Sequence, residues 1–292
     1  MVPRVLCVVE PAPVGALGGN PAAPVVESRR TSQEKPPWKG LSALRGNIEA
    51  EFLRRLYLGE SVAPFRLLGP VLAVIPWEEG TNRLLDADAA QRAGYLHLGR
   101  WLASAERLWR AHGRGGMSLL QQLDYYGKLT AQLPSRKAPT SRGKAGLRVV
   151  YSKAGTLQAA ALLRDTTAVV DHKLYWMAVE SEAEARYLAA VVNSETARSR
   201  VAHLQSRGQW GARDFDKVMF ELPIPSFDPA DTLHSALATA AEHAEQVAAA
   251  VPLREGEHFV RARQRIRQAL REDGVAQQMD ALVARLLGET PT

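Results

Sequence analysis

Basic side chains are concentrated in one stretch of this 292-residue sequence. Between Asp124 and Asp165 there is no acidic residue, and eight residues are Lys or Arg. Each phosphate that a basic side chain neutralises releases counterions, so an acid-free basic segment suits a phosphate backbone. Within it, Pro134 to Gly146 is rich in Ser, Pro, Gly and Lys, which predicts a loop; a solvated linker is the alternative. The eight basic residues are Lys128, Arg136, Lys137, Arg142, Lys144, Arg148, Lys153 and Arg164.

A second segment, Gln205 to Lys217, carries side chains that can read base edges. Arg pairs bidentately with guanine and Gln with adenine in the major groove, and glycines allow a close backbone approach. Trp210 would either wedge between bases or anchor the loop. The alternative is a surface loop that Trp210 and Phe215 hold against the core. The residues predicted to contact bases are Gln205, Arg207, Gln209 and Arg213.

Composition excludes several classes of protein. Hydrophobic residues make up 46% and charged residues 23%, which is typical of a folded protein rather than a disordered one. The net charge is only +6, so outside the eight basic residues the chain is slightly acidic in sum. A single cysteine, Cys7, excludes an intrachain disulfide and a cysteine-rich zinc site, and it favours a reducing cytoplasm. No apolar run approaches the roughly 18 residues that a membrane span needs, so we expect no membrane partner.

The periodicity of apolar residues predicts a mixed α+β fold that ends in a helical hairpin or arm. Ile48, Phe52 and Leu56 predict a helix over Asn47 to Leu58, and a buried strand is expected over Arg66 to Trp77. Further strands are predicted at Leu147 to Tyr151, Leu157 to Leu163 and Ala168 to Val179. Further helices are predicted at Tyr95 to His112, Glu180 to Val192, Arg198 to Leu204, from Leu233 to Val251, Phe259 to Leu270 and Val275 to Leu287.

These elements suggest a division into three parts. Residues 1–40 contain a short apolar run, Val5 to Val9, followed by Pro- and Gly-rich sequence, which is typical of a truncated edge strand and a linker. Residues 41–228 form an α+β domain, and residues 229–292 form the helical C-terminal arm. We therefore expect the chain to be a recognition region that carries the edge of something larger.

Several segments occur in an order that resembles a known family. They are Lys39 to Leu68 (KGLSALRGNIEAEFLRRLYLGESVAPFRLL), Tyr151 to Trp176, Leu188 to Asn193, Gln205 to Lys217, and Phe220 to Phe227 (FELPIPSF). Together they resemble the C-terminal target-recognition region of adenine-specific (N-6) DNA methyltransferases of restriction-modification systems. The Leu-Pro-Ile-Pro turn before a long helix is also similar to recognition domains of type I specificity subunits. The resemblance implies duplex DNA as a partner.

The family's methyl-transfer motifs are not found in this sequence. Such enzymes carry an Asn/Asp-Pro-Pro-aromatic tetrad that holds the flipped adenine. The nearest match, Asn20-Pro21-Ala22-Ala23, lacks the second proline and the aromatic residue. Gly15 to Gly19 follows a proline-rich loop instead of a strand, which does not suit an S-adenosylmethionine site. We therefore expect no cofactor in this chain and S-adenosylmethionine on a methyltransferase catalytic chain or on a missing domain.

Two other functions remain open at this point. Asp165, Asp171 and Lys173 loosely match the Asp…Asp-x-Lys pattern of metal-dependent nucleases, in which two carboxylates hold magnesium and the lysine steadies the attacking water. In a third interpretation, the helical tail docks a methyltransferase catalytic subunit through its heptad seam and the chain does not contact DNA.

Overall fold

The structure is a computed structural model. It describes residues 3–13, 19–32, 34–79, 81, 83–113, 115–132, 146–153, 157–205, 207–208, 211–212, 217–254 and 256–288, with only the backbone described at 207–208 and 211–212. The fold is mixed α+β with helices at the C-terminal end, which confirms the predicted fold class. Among the described helices, none combines the length and apolar character that crossing a membrane requires.

The strands are short and pair antiparallel wherever their register is defined. In chain order they are β1 (Val8–Pro11), β2 (Val25–Ser28), β3 (Arg45–Asn47), β4 (Leu53–Tyr57), β5 (Val62–Ala63), β6 (Arg66–Leu67), β7 (Val71–Val74), β8 (Trp77–Glu78), β9 (Arg83–Leu84), β10 (Arg148–Ser152), β11 (Ala160–Leu163), β12 (Val169–Val170), β13 (Leu174–Ala178), β14 (Arg207–Gly208) and β15 (Gly211–Ala212).

The helices are longest in the C-terminal third of the chain. In chain order they are α1 (Arg4–Cys7), α2 (Ala87–Arg92), α3 (Leu96–His112), α4 (Leu119–Leu123), α5 (Glu182–Asn193), α6 (Glu195–Val201), α7 (Thr232–Ala250), α8 (Phe259–Asp273) and α9 (Val275–Leu286).

The chain divides into two compact units, each built from separate segments. The first unit comprises Met1–Leu56, Pro70–Ala138 and Thr167–His172. It holds a six-stranded sheet in the order β12-β4-β7-β1-β2-β3. Helix α3 packs against this unit's strand β3, and the Glu49 carboxylate accepts hydrogen bonds from the backbone amides of His97 and Leu98 at 2.9 and 2.8 Å. A carboxylate there satisfies amides of the first helical turn and complements the helix dipole.

The second unit comprises Tyr57–Gly69, Pro139–Thr166 and Lys173–Thr292. Its three-stranded sheet has the order β11-β10-β13, and α5 packs against β10 and β11. Helix α7 packs against α5, α8 and α9, and one hydrophobic core contains side chains from the sheet and from all four helices. The predicted three-part division at residues 40 and 228 stays a prediction.

The two edge strands of the second unit's sheet differ in what satisfies their outer backbone groups. At β11, the Asn193 amide donates to the Ala160 carbonyl at 2.9 Å and accepts from the Ala160 amide at 3.0 Å. This side chain therefore satisfies backbone groups of β11 in the way that another strand would. Strand β13 is the opposite edge. In the described part of the chain no further strand pairs with it.

Buried arginine ties α8 to the rest of the second unit. Arg263 donates from Nε to the Val62 carbonyl at 2.8 Å and from Nη2 to the Gly59 carbonyl at 2.6 Å. Burial lowers the pKa of this guanidinium to about 10, against the raising effect of Glu60. The group stays charged near neutral pH, since that value lies well above 7. Arg263 therefore has a structural role, because carbonyl oxygens compensate its buried charge.

Four local predictions were wrong. Arg66 to Trp77 is not one strand but is divided among β6, β7 and β8, and Ala168 to Val179 is divided between β12 and β13, which belong to different sheets. Asn47 to Leu58 is not a helix, because a short 3-10 turn at Ala50–Phe52 leads into β4, which pairs with β7 from Leu53 opposite Val74. Ile48, Phe52 and Leu56 are all buried. Their spacing therefore predicted the burial of these side chains correctly but predicted the wrong backbone conformation. The predicted edge strand over Val5 to Val9 is also wrong, because Arg4–Cys7 is the short helix α1 and the strand β1 that follows lies between β7 and β2.

Candidate nucleic-acid interface

A ladder of side-chain pairs crosses strands β10 and β13 in the second unit. Tyr151 lies opposite Tyr175 and Ser152 opposite Leu174. The Lys153 amide donates to the Lys173 carbonyl at 3.4 Å, which continues the register by one further pair. Side chains alternate between the two faces of a sheet, so every second pair shares a face. The lysines and the tyrosines therefore lie on one face as neighbouring pairs, which we call the Lys–Tyr ladder.

The aromatic rings of the ladder form a cluster with Phe220. The Tyr151 and Tyr175 rings are stacked, with centroids 6.2 Å apart and planes 16° from parallel. Phe220 presents its edge, at 5.1 Å from Tyr175 and 6.4 Å from Tyr151. Its side chain is 60% exposed. The Lys153 ammonium lies 5.2 Å from the centroid of the Tyr175 ring, within the range of a cation–π interaction.

The cluster lines a groove of about 420 Å³ within the second unit, which we call the aromatic groove. Its floor is the ladder face of β10 and β13, and one wall is α5, through Leu188 and Val192. The other wall is the segment 219–227, which follows the predicted base-reading segment directly along the chain. The groove thus has an aromatic surface. The lysines do not line it, but the Lys153 ammonium lies against the ring of Tyr175, which does.

The end of the groove away from the lysines is acidic. Glu180 and Glu184 line it, and the Glu180 amide donates to the Glu184 carboxylate at 2.7 Å. Glu184 occupies the first turn of α5, where Ser181 caps the helix by accepting from the Glu184 amide. A carboxylate is stabilised in this position by the helix dipole. Lys173 precedes β13 and Glu180 follows it, so positive charge lies beside one end of the groove and negative charge lines the other.

Arg148 lies on the opposite face of the same two strands. It is 5% exposed, and its Nη2 donates to the Asp165 carbonyl at 2.9 Å. Its guanidinium is 6.0 Å from the Trp176 ring centroid. Burial lowers the pKa of Arg148, while Asp165 and Tyr57 oppose that shift. Although sequence patterning predicts a DNA contact here, the guanidinium as placed offers no surface to a phosphate.

The other predicted contact residues that the structure describes belong to both units. Lys128 is exposed and belongs to the first unit, whereas Lys153 belongs to the second. Gln205 is buried. Arg207 lies in β14, where only the backbone is described. The remaining predicted contacts fall outside the described residues: Arg136, Lys137, Arg142, Lys144, Gln209, Trp210 and Arg213.

Four residues of this site were not among the predicted DNA contacts: Tyr151, Lys173, Tyr175 and Phe220. Lys173 was named only in the nuclease alternative. A strand was predicted over Ala168 to Val179, but neither its division into β12 and β13 nor the register of β13 on β10 was predicted. That register is the signal that brings Lys173 and Tyr175 opposite Lys153 and Tyr151. For Phe220, the pattern FELPIPSF marked a turn and did not indicate that the ring lies across two tyrosines.

Asp171, one residue of the nuclease alternative, is engaged in contacts within its own unit. Asp171 is 1% exposed, 2.9 Å from His172 Nδ1 and 3.6 Å from Arg4. Burial alone would raise the pKa of Asp171, but the hydrogen bond and charge of His172 and the charge of Arg4 lower it. Asp165 and Lys173 belong to the other unit. Within the described ranges, no group of three His, Cys, Asp or Glu side chains is placed to hold a metal ion.

No protein-family model matches the chain, and no curated protein matches it. Among solved structures, the chain is similar to a Type IIL restriction-modification enzyme, MmeI, whose structure was solved in complex with DNA. The TM-score is 0.50 and the sequence identity is 10%. The match covers 83% of this chain but only 29% of the MmeI chain. At this identity the similarity is one of fold.

Proposed function

We propose that this chain is the DNA target-recognition portion of an adenine-specific DNA methyltransferase of the restriction-modification type. It binds duplex DNA and leaves methyl transfer to a catalytic chain or domain that holds S-adenosylmethionine. The observation that carries the proposal is the stretch between Asp124 and Asp165, which has eight basic residues and no acidic one. The fold similarity to a restriction-modification enzyme solved with DNA supports it.

In this proposal, six of these eight residues contact DNA phosphates. Arg148 is buried, and Arg164 pairs with Glu182 and Glu245 at 2.8 and 3.3 Å, so both make internal contacts. The six remaining residues are Lys128, Arg136, Lys137, Arg142, Lys144 and Lys153. Base contacts fall to Arg207, Gln209 and Arg213, beside Trp210. Adenine specificity and the methyltransferase partner rest on the family resemblance of the sequence.

The experiment is a titration of duplex DNA with the protein across a salt series. If six phosphates are contacted, log K falls against log salt with a slope of about −5. Replacing Arg136, Lys137, Arg142 and Lys144 together by alanine is expected to make the slope shallower by about 3 to 4 units. The measurement is fluorescence anisotropy of a labelled duplex.

A matched control removes four positive charges elsewhere. Arg92, Arg100, Arg107 and Arg110 are exposed on α2 and α3, outside the acid-free stretch. Their simultaneous replacement by alanine is expected to leave the salt slope within about one unit of the wild-type value. Equal slopes for the two quadruple variants would contradict the proposal, as would an absence of binding at low salt. In the second case, retained association with a methyltransferase chain would favour the docking function.

A further inference from the structure

We propose that the aromatic groove of the second unit receives one unstacked nucleotide, with its base against the aromatic cluster and its phosphate at the Lys153–Lys173 pair. The inference rests on the proposed function, because DNA is what would bring such a nucleotide to the groove. It adds a second mode of contact, in which the protein holds a base that has left the helical stack.

Lys153 and Lys173 place two positive charges opposite each other. Like charges directly opposite each other on neighbouring strands are destabilising. Neither Lys153 nor Lys173 forms an ion pair with a carboxylate in the part of the chain that the structure describes. Lys173 is exposed, so an anion has access to the pair. A phosphate between the two ammonium groups would convert this repulsion into two attractive contacts.

An aromatic surface lies beside these charges. Phe220 is 60% exposed, although its ring lies across two stacked tyrosines. Tyr151 is buried, so Phe220 and the half-buried Tyr175 are the rings of the cluster that a base can reach. Accessible aromatic rings next to a cation are the combination on which single-stranded nucleic acid stacks its bases. The pairing register places the tyrosines one pair along the ladder from the lysines. Base and phosphate of one nucleotide can therefore be contacted together.

The size of the groove and its acidic end limit the ligand to a single nucleotide. The groove volume of about 420 Å³ lies in the range of small-ligand sites. Glu180 lies seven residues beyond Lys173, which is roughly 20 Å along an extended strand. A single-stranded nucleic acid that ran the full length of the groove would bring a second phosphate towards Glu180 and Glu184, and their carboxylates would repel it. Charge thus fixes the direction in which a nucleotide enters.

The test compares two duplexes that differ only in one unpaired, bulged nucleotide. The wild-type protein is expected to bind the bulged duplex about tenfold more tightly, as one stacked base predicts. Phe220→Ala is expected to reduce that ratio to about one. The matched control is Leu204→Ala, because Leu204 is also a large exposed apolar residue of the second unit but does not line the groove. Lys153→Gln should likewise lower the ratio.

The outcomes separate this inference from the proposed function. Equal affinity of the wild type for both duplexes overturns the nucleotide site and leaves the proposed function intact. Binding of the bulged duplex alone overturns duplex recognition and supports the groove. Binding of neither overturns both. If Phe220→Ala leaves both affinities unchanged but converts an oligomer to a monomer in sedimentation, the groove is a protein contact and the inference is wrong.

Discussion

The two faces of strands β10 and β13 each carry a cation beside an aromatic ring, yet the two arrangements differ in kind. On one face, the Arg148 guanidinium lies 6.0 Å from the Trp176 ring, is buried, and donates to the Asp165 carbonyl. On the other, the Lys153 ammonium lies 5.2 Å from the Tyr175 ring, opposite a second lysine.

The difference shows that burial commits one basic side chain of the segment to internal contacts and leaves another accessible to solvent. Arginine suits the buried position, because its fork of donors reaches a carbonyl while its plane lies near an aromatic ring. Lysine suits the partly exposed position beside Tyr175, because it is a compact charge on a flexible stem, as the proposed phosphate contact requires. Sequence charge alone treats Arg148 and Lys153 alike, and the pairing of the strands distinguishes them.

The largest effect is expected on the buried face. Arg148→Ala should lower the free energy of unfolding by about 2–4 kcal/mol, because it removes the hydrogen bond to the Asp165 carbonyl and leaves a space beside Trp176. Chemical denaturation measures this loss. The salt slope of DNA binding should not change under conditions in which the variant is folded. A loss below about 0.5 kcal/mol would mean that Arg148 has no structural role.

A smaller effect is expected on the groove face, and in a different quantity. Lys153→Ala should make the salt slope of DNA binding shallower by about one unit, because one phosphate contact is lost. Its free energy of unfolding should stay within about 0.5 kcal/mol of wild type. Lys39→Ala, at an exposed lysine of the first unit, is the control and should change neither quantity. If Lys153→Ala and Lys39→Ala had the same salt slope of DNA binding, Lys153 would not be a phosphate contact.

The parts of the fold that could be predicted are those whose contacts are local. Helix α3 matches Tyr95 to His112 within one residue, and α7 to α9 match their predicted segments, because an apolar stripe along a helix is visible in the sequence itself. The six-stranded sheet could not be predicted, because it pairs strands far apart in the chain, such as β12 with β4. Three apolar residues spaced by four around Phe52 fitted a helix but belong to a turn and a strand.

The candidate site follows the same rule. Lys153 was predicted from the acid-free stretch, since charge composition needs no knowledge of partners. Tyr175 and Lys173 belong to the site only through the register of β13 on β10, which is a tertiary property. Arg148 shows the converse. Its charge is visible in the sequence, whereas the backbone carbonyl that binds it, at Asp165, is not.

The smallest effect would sharpen the comparison most, because the two measured quantities should move in opposite directions. Lys153→Glu replaces a like-charged cross-strand pair with an ion pair to Lys173, which should raise the free energy of unfolding by about 0.2–1 kcal/mol. The same change places a carboxylate where the phosphate is proposed, so the preference for a bulged duplex should disappear. Denaturation and anisotropy on one protein sample give both results. A gain in stability with the preference retained would show that the lysine pair is not the phosphate site.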